Sequence, residues 1–100
     1  MGDRLEMNVA NDPGATRYAI TVDGVPAGYV LYRDEPGKRV FLHTQVDGDW
    51  SGHGVGSTLA RAALDDTRAA GLEVVPRCPF VRAFIERHSE YRDLVAAPRR

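Results

Sequence analysis

The stretch Val46-Asp47-Gly48-Asp49-Trp50-Ser51-Gly52-His53-Gly54-Val55-Gly56-Ser57-Thr58-Leu59 constrains this chain more than any other. An apolar run ends at Val46, glycines alternate from Gly52 to Gly56, and an amphipathic pattern begins directly behind them. A strand that turns through glycines into a helix leaves the first amides of that helix without intrahelical acceptors, and the helix dipole adds roughly half a positive charge there. A phosphate can lie across such amides when side chains stay clear. Gly52, Gly54 and Gly56 are placed to give that clearance. The spacing narrows the ligand further. A Walker A loop ends in Gly-Lys-Ser/Thr, whereas Gly56 is followed by Ser57; a dinucleotide fingerprint is G-x-G-x-x-G, whereas here the glycines fall as G-x-G-x-G.

The residues around the loop predict a fold of the α/β (α+β) class. Leu5 to Val9 reads as a first strand or a loose arm, stopped by the turn cluster Asn11-Asp12-Pro13-Gly14. Arg17 to Val22 alternates, with Tyr18, Ile20 and Val22 on one face, and Asp23-Gly24 is a hairpin signal leading into Ala27 to Arg33. Glu35-Pro36-Gly37-Lys38 makes the next turn, and Arg39 to Val46 delivers the chain to the glycines. From Val55 to Ala70 the residues Val55, Leu59, Ala62, Ala63 and Ala70 stay near one helical face while Arg61, Asp65 and Arg68 point away, and Gly71 suits the C-terminal cap. Leu72 to Pro76 then reads as a short buried strand, so that strand, helix and strand form a right-handed crossover with parallel strands. A second helix spans about Pro79 to His88, with Pro79 at its first position and Cys78 at its cap.

Composition limits the rest. One hundred residues, 43% of them hydrophobic, provide one core, so a single domain over 1–100 with its core at about 5–95 is expected. The formal charge of -1 argues against a nucleic-acid footprint or a membrane surface, and Met1-Gly2-Asp3-Arg4 lacks the apolar core of a signal peptide. A lone cysteine forms no internal disulfide and fits the reducing cytoplasm. One cysteine and three separated histidines give no metal-ligand spacing, so no metal is expected.

Three further blocks give the loop a context: Phe41-Leu42-His43-Thr44-Gln45-Val46 before it, Val74-Val75-Pro76-Arg77-Cys78-Pro79-Phe80-Val81 after the helix, and Phe84 to Val95 at the end. With Ser51 to Leu59 they resemble the short, single-domain branch of the GNAT superfamily of N-acetyltransferases, over roughly Tyr18 to Val95. The resemblance implies a cosubstrate, acetyl-CoA, whose pantetheine arm lies in a wedge between the strand before the loop and the strand after the first helix. The backbone of Thr44, Gln45 and Val46 would pair with pantetheine, and that of Gly52, His53, Gly54, Val55, Gly56 and Ser57 would take the pyrophosphate. A strand amide would polarise the thioester carbonyl.

The catalytic helpers differ from the family pattern. Gln45 stands where the short branch commonly has Glu, Ile85 falls where a helix Tyr would lie, and Ser51 replaces the usual Gln or Arg of the loop. Cys78 falls where many members have an Asn facing the thioester. At a helix N-terminus near Arg77 and Arg82 it is in a setting that favours thiolate. Its role would be that of an acetyl carrier, an acid for the coenzyme A thiolate, or a small residue packed against pantetheine. His43, on the strand beside the wedge, would be a base or would orient Cys78 across it. Only the short segment from Val9 to Arg17 separates the first two strands, where longer members insert helices that wall the acceptor site. The acceptor amine is therefore expected on a protein or peptide, or behind a wall donated by a second subunit, with the chain a monomer or a homodimer. Two readings follow: an acetyl-CoA-dependent N-acetyltransferase, or a non-catalytic acyl-CoA-binding or regulatory module.

Overall fold

The computed structural model describes residues 6–50 and 53–96; Leu5, Ser51 and Gly52, named above, lie outside them. Five strands, β1 (Met7–Asp12), β2 (Arg17–Val22), β3 (Val25–Glu35), β4 (Lys38–Val46) and β5 (Glu73–Pro76), lie side by side in that order. The first four are antiparallel neighbours, and β5 returns parallel to β4 after helix α1 (Val55–Ala69). Helix α2 (Pro79–Arg87) and a 3-10 turn over Ser89–Leu94 follow. This is the α+β arrangement of a meander, a β-α-β unit and a C-terminal helix.

Turn chemistry sets the meander. Asp23 and Gly24 both take positive φ, 51° and 82°, as a two-residue hairpin requires. Pro36 fixes the next turn and Gly37 completes it at φ 74°. The first strand departs from expectation at its end, because Asn11 and Asp12 do not stop it but pair with Tyr18 and Arg17. Asn11 is held in the ladder by the Tyr32 hydroxyl, which donates to its side-chain oxygen at 2.7 Å. The chain turns only after Asp12, whose carbonyl and carboxylate both accept from the Ala15 amide.

Tyr18, Ile20 and Val22 are fully buried, as their alternation predicts, and join Val30, Tyr32 and Phe41 in one core with both helices. On α1 the buried stripe is Val55, Leu59, Ala60, Ala63, Leu64 and Thr67, while Ala62 is half-buried and Ala70 exposed. Ala70 leaves the expected face because it is the cap residue itself. Gly71, at φ 75°, donates to the Arg68 carbonyl and Leu72 donates to that of Thr67, a Schellman closure that turns the chain toward β5. Thr67 is buried without penalty, since its hydroxyl donates to the Ala63 carbonyl at 2.8 Å.

Strand β5 buries only Val74. Its outer edge is covered by the end of the chain, where Val95 bridges Val74 and the Ala96 amide donates to the Val74 carbonyl. Tyr91 anchors that return: it is buried, and its hydroxyl donates to the Asp65 carboxylate of α1 at 2.7 Å.

Candidate active site

Strand β4 outlasts β5, and that mismatch frames the candidate site. The ladder between them runs from Lys38 opposite Glu73 to Phe41 opposite Pro76. There the amides of Arg77 and Cys78 both donate to the Phe41 carbonyl, at 3.1 and 2.9 Å, and the chain swings into α2. From Leu42 to Val46, β4 keeps β3 on one side and, among the described residues, has no strand on the other. Leu42 is an extra residue: Tyr32 pairs with Phe41 and Leu31 with His43, so a β-bulge resets the alternation where the strands part. Asp47 donates its amide to the Ala27 carbonyl of β3. Counting back by the period of two, Gln45 and His43 direct their backbone groups to β3, and Thr44 and Val46 direct theirs to the open side.

The same period sorts the side chains. Thr44 points to the core face, where its hydroxyl lies 3.0 Å from the Cys78 sulfur. Cys78 is 2% exposed and caps α2 with extended backbone, Pro79 following at the first helical position. His43 and Gln45 project from the opposite face. The His43 ring lies 6.3 Å from that of Tyr29, and Gln45 helps line a cavity of 520 Å³ with Arg17, Thr21, Tyr29 and Asp47. The expectation that His43 orients Cys78 is therefore corrected. The strand itself separates them, and the Thr44 hydroxyl takes that position. Nothing in the sequence marks this contact except the adjacency of Thr44 and His43 on a strand, which forces them to opposite faces.

Before α1, Asp47 organises a 3-10 turn over Gly48–Trp50, its carboxylate accepting from the Asp49 amide and its carbonyl from the Trp50 amide. His53 is exposed, edge-on to Trp50 with ring centroids 6.0 Å apart. Gly54 is the N-terminal cap at φ 78°, with open space where a side chain would stand. The first intrahelical bond runs from the Thr58 amide to the Gly54 carbonyl, and among the described residues no side chain caps the amides of Val55, Gly56 and Ser57 before it. Gly56 differs from Gly54: a Cβ there would stand 2.7 Å from the Phe80 ring. A groove of 290 Å³, lined by Val46, Asp47, Gly48, Trp50, Val55, Gly56 and Phe80, connects the open end of β4 to this first turn. The structure thus gathers Thr44 with Cys78, and Val46 with Val55 and Gly56, along one edge.

The buried charge of the molecule lies elsewhere. Arg39, 8% exposed, grips both oxygens of Asp34 at 2.7 and 2.9 Å and donates to the Tyr18 hydroxyl, which donates in turn to Asp66 near the far end of α1. The hydrogen bond with Asp34 raises Arg39 above its ordinary range and holds the Asp34 carboxyl below its own. Burial, then the bond to Asp66, pushes the Tyr18 hydroxyl upward. Among the described residues no group of three or more His, Cys, Asp or Glu is arranged to hold a metal ion.

Comparison with known proteins agrees with this arrangement. In the solution structure of a GCN5-like candidate N-acetyltransferase from Staphylococcus aureus, 20% identical, the alignment covers 92% of this chain and 90% of that one at a TM-score of 0.70. The crystal structure of ribosomal-protein-alanine N-acetyltransferase from Brucella melitensis biovar Abortus 2308 is 23% identical, over 84% of this chain and 64% of that one, at 0.56. An acetyltransferase from Trypanosoma brucei, 15% identical, aligns over 97% and 96% at 0.55. These likenesses establish the shared fold. No curated protein matches the chain in sequence. The family model described as GCN5-related N-acetyl-transferase matches residues 17–94, from the start of β2 to the end of the last 3-10 turn. The chain belongs to the GCN5-related N-acetyltransferase family.

Proposed function

We propose that the chain transfers an acetyl group from acetyl-CoA to an amine, with Cys78 and His43 acting from opposite faces of the open half of β4. One observation supports this most: Thr44 and Val46 turn their backbone groups to an edge that β5 has left, with the Cys78 sulfur beside Thr44 and the first turn of α1 beyond Val46. In this reading the cosubstrate's pyrophosphate lies on the amides of Val55, Gly56 and Ser57. Its pantetheine follows the edge as a surrogate strand, and an edge amide donates a hydrogen bond to the thioester oxygen as negative charge grows there.

The proton traffic then divides by face. The acceptor nitrogen attacks the thioester carbon from the His43 side and yields its proton to His43. The carbon–sulfur bond breaks, and the departing coenzyme A sulfur takes the proton of Cys78; solvent returns the proton from His43 to Cys78. The acceptor enters from the side of the 520 Å³ cavity, an open surface beside Tyr29 and Gln45. The β1–β2 connection is only the turn after Asp12, so nothing from that segment encloses a small substrate. A peptide or protein amine fits best, with the cytoplasm as the compartment that keeps a single thiol reduced.

The test is release of free coenzyme A from acetyl-CoA in the presence of peptides with unblocked N-termini or lysines. Wild type turns over; Cys78→Ala and His43→Ala each lose about a hundredfold in kcat, and His43→Ala regains rate as pH rises and the amine deprotonates unaided. Unchanged kcat in both variants contradicts the assignment of these residues. Binding without turnover of any peptide leaves the non-catalytic module. Turnover of spermidine at ordinary enzymatic efficiency contradicts the open acceptor site.

A further inference from the structure

We propose that Gly56 lacks a side chain in order to seat Phe80, and that the seated ring is the positioning device that sets Cys78 relative to the first turn of α1. The inference rests on the acetyl-CoA reading above and adds to it a residue to which no role has yet been given. A glycine in a phosphate-binding turn is ordinarily explained by the close approach of the anion. At Gly54 the space beside the Cα is open and the backbone is left-handed, so that explanation and a purely conformational one both remain available. At Gly56 the space is filled: a Cβ would stand 2.7 Å from Cζ, 3.3 Å from Cε1 and 3.6 Å from Cε2 of Phe80. Gly56 lies inside α1 and takes no positive φ, so backbone freedom does not require it either. The ring requires it.

Phe80 stands in the first turn of α2, two residues after Cys78 and directly after Pro79. Proline fixes its own φ and restricts the residue before it, so Cys78, Pro79 and Phe80 move as one rigid corner. That corner is tied to β4 by the Cys78 amide on the Phe41 carbonyl and by the Thr44 hydroxyl beside the thiol. It meets α1 through the ring on Gly56. The ring thus spans the groove between the amides that would hold the phosphates and the thiol that would serve the thioester. It is half-buried, with Val46, Trp50 and Val55 as the other apolar walls. Both ends of a long cosubstrate must be registered at once, and a displacement of about 1 Å between them is enough to cost about a hundredfold in rate.

The test is a double-mutant cycle of Gly56→Ala and Phe80→Ala, read three ways. The ring tip can swing outward, so Gly56→Ala folds, and transfer from acetyl-CoA falls by about a hundredfold, as it does in Phe80→Ala. Affinity for the probe 3′,5′-ADP, which engages only the phosphate end, stays within about threefold of wild type in both variants, because the amides remain. The double variant is no worse in transfer than Phe80→Ala alone. In the ligand-free protein the same coupling appears in thermal midpoints: Gly56→Ala is better tolerated in the Phe80→Ala background than in the wild type, because the new methyl then gains helix propensity without meeting the ring. Additive losses overturn the proposal. So does loss of 3′,5′-ADP binding when Gly56→Ala is added to Phe80→Ala, which would mean that the glycine serves the anion. Failure of the wild-type chain to bind acetyl-CoA is a different result; it overturns the acetyl-CoA reading and the positioning role together, while the thermal cycle still shows whether ring and glycine are coupled.

Discussion

Thr44 illustrates how much a single position decides. Its backbone faces the open edge, its side chain meets Cys78, and its neighbour His43 is sent to the other face by strand geometry alone. Thr44→Val keeps the shape and removes the hydroxyl; it is expected to cost about 1 kcal/mol in urea unfolding and to slow coenzyme A release, with Thr44→Ser restoring the rate. Equal rates in the Val and Ser variants would deny the hydroxyl a role. Gly28 is a second sensitive position. It lies opposite Val46, and a Cβ there would come within 2.6 Å of the Gln45 carbonyl oxygen and 3.2 Å of the Val46 Cα, both backbone atoms that yield little. Gly28→Ala is expected to lose about 1–3 kcal/mol of stability and to weaken acetyl-CoA binding by displacing the open edge; unfolding and calorimetry check the two together. Residue type alone singles out Cys78, His43 and the glycines in the sequence. It does not single out their partners, because contacts such as Thr44 with Cys78 and Gly56 with Phe80 join residues far apart in the chain, and no local pattern encodes them.

Elements were more legible than contacts. The bounds of β2 follow from strict alternation between two turn signals, and the closure of α1 follows from Gly71, since only a left-handed residue after Ala70 lets Gly71 and Leu72 reach back to Arg68 and Thr67. The 3-10 turn over Ser89–Leu94 leaves no sequence pattern, because its buried residues Tyr91 and Leu94 are too few to show a period. The bulge at Leu42 leaves only one trace in the sequence, the unbroken apolar run Val40-Phe41-Leu42. The loop before α1 gives a test at this scale. Gly54 caps the helix at φ 78° with nothing nearby, so Gly54→Ala pays only for the left-handed backbone, about 1–2 kcal/mol, read as a lower thermal midpoint with the fold intact. A variant as stable as wild type would show that the helix can start without this conformation.

For the molecule as a whole, stability and the candidate chemistry sit at opposite ends of α1. The Arg39, Asp34, Tyr18 and Asp66 network ties β2, β3 and β4 to the last turns of the helix, while Cys78 and the first-turn amides lie toward its start. Because Asp34 is held below its ordinary value of 3.8 by Arg39, its ionised form stabilises the fold above that value, and the contribution is lost as pH falls through the lowered one. Asp34 is half exposed, so the contribution is about 1 kcal/mol at most. Thermal melts from neutral to acid pH should show the wild type losing that increment and Asp34→Asn lacking it throughout; parallel curves would deny the linkage. The fold class was legible because meander, crossover and glycine loop are each local patterns; the placement of the network was not, since Arg39 reads as a surface residue until α1 covers it. The edge of β4 and the first turn of α1 are proposed to form one acetyl-CoA site. Calorimetric titration of the folded protein with acetyl-CoA and with coenzyme A tests it most directly. Binding on the order of micromolar is expected for both, retained in Cys78→Ala while transfer is lost; no heat with either ligand would contradict it.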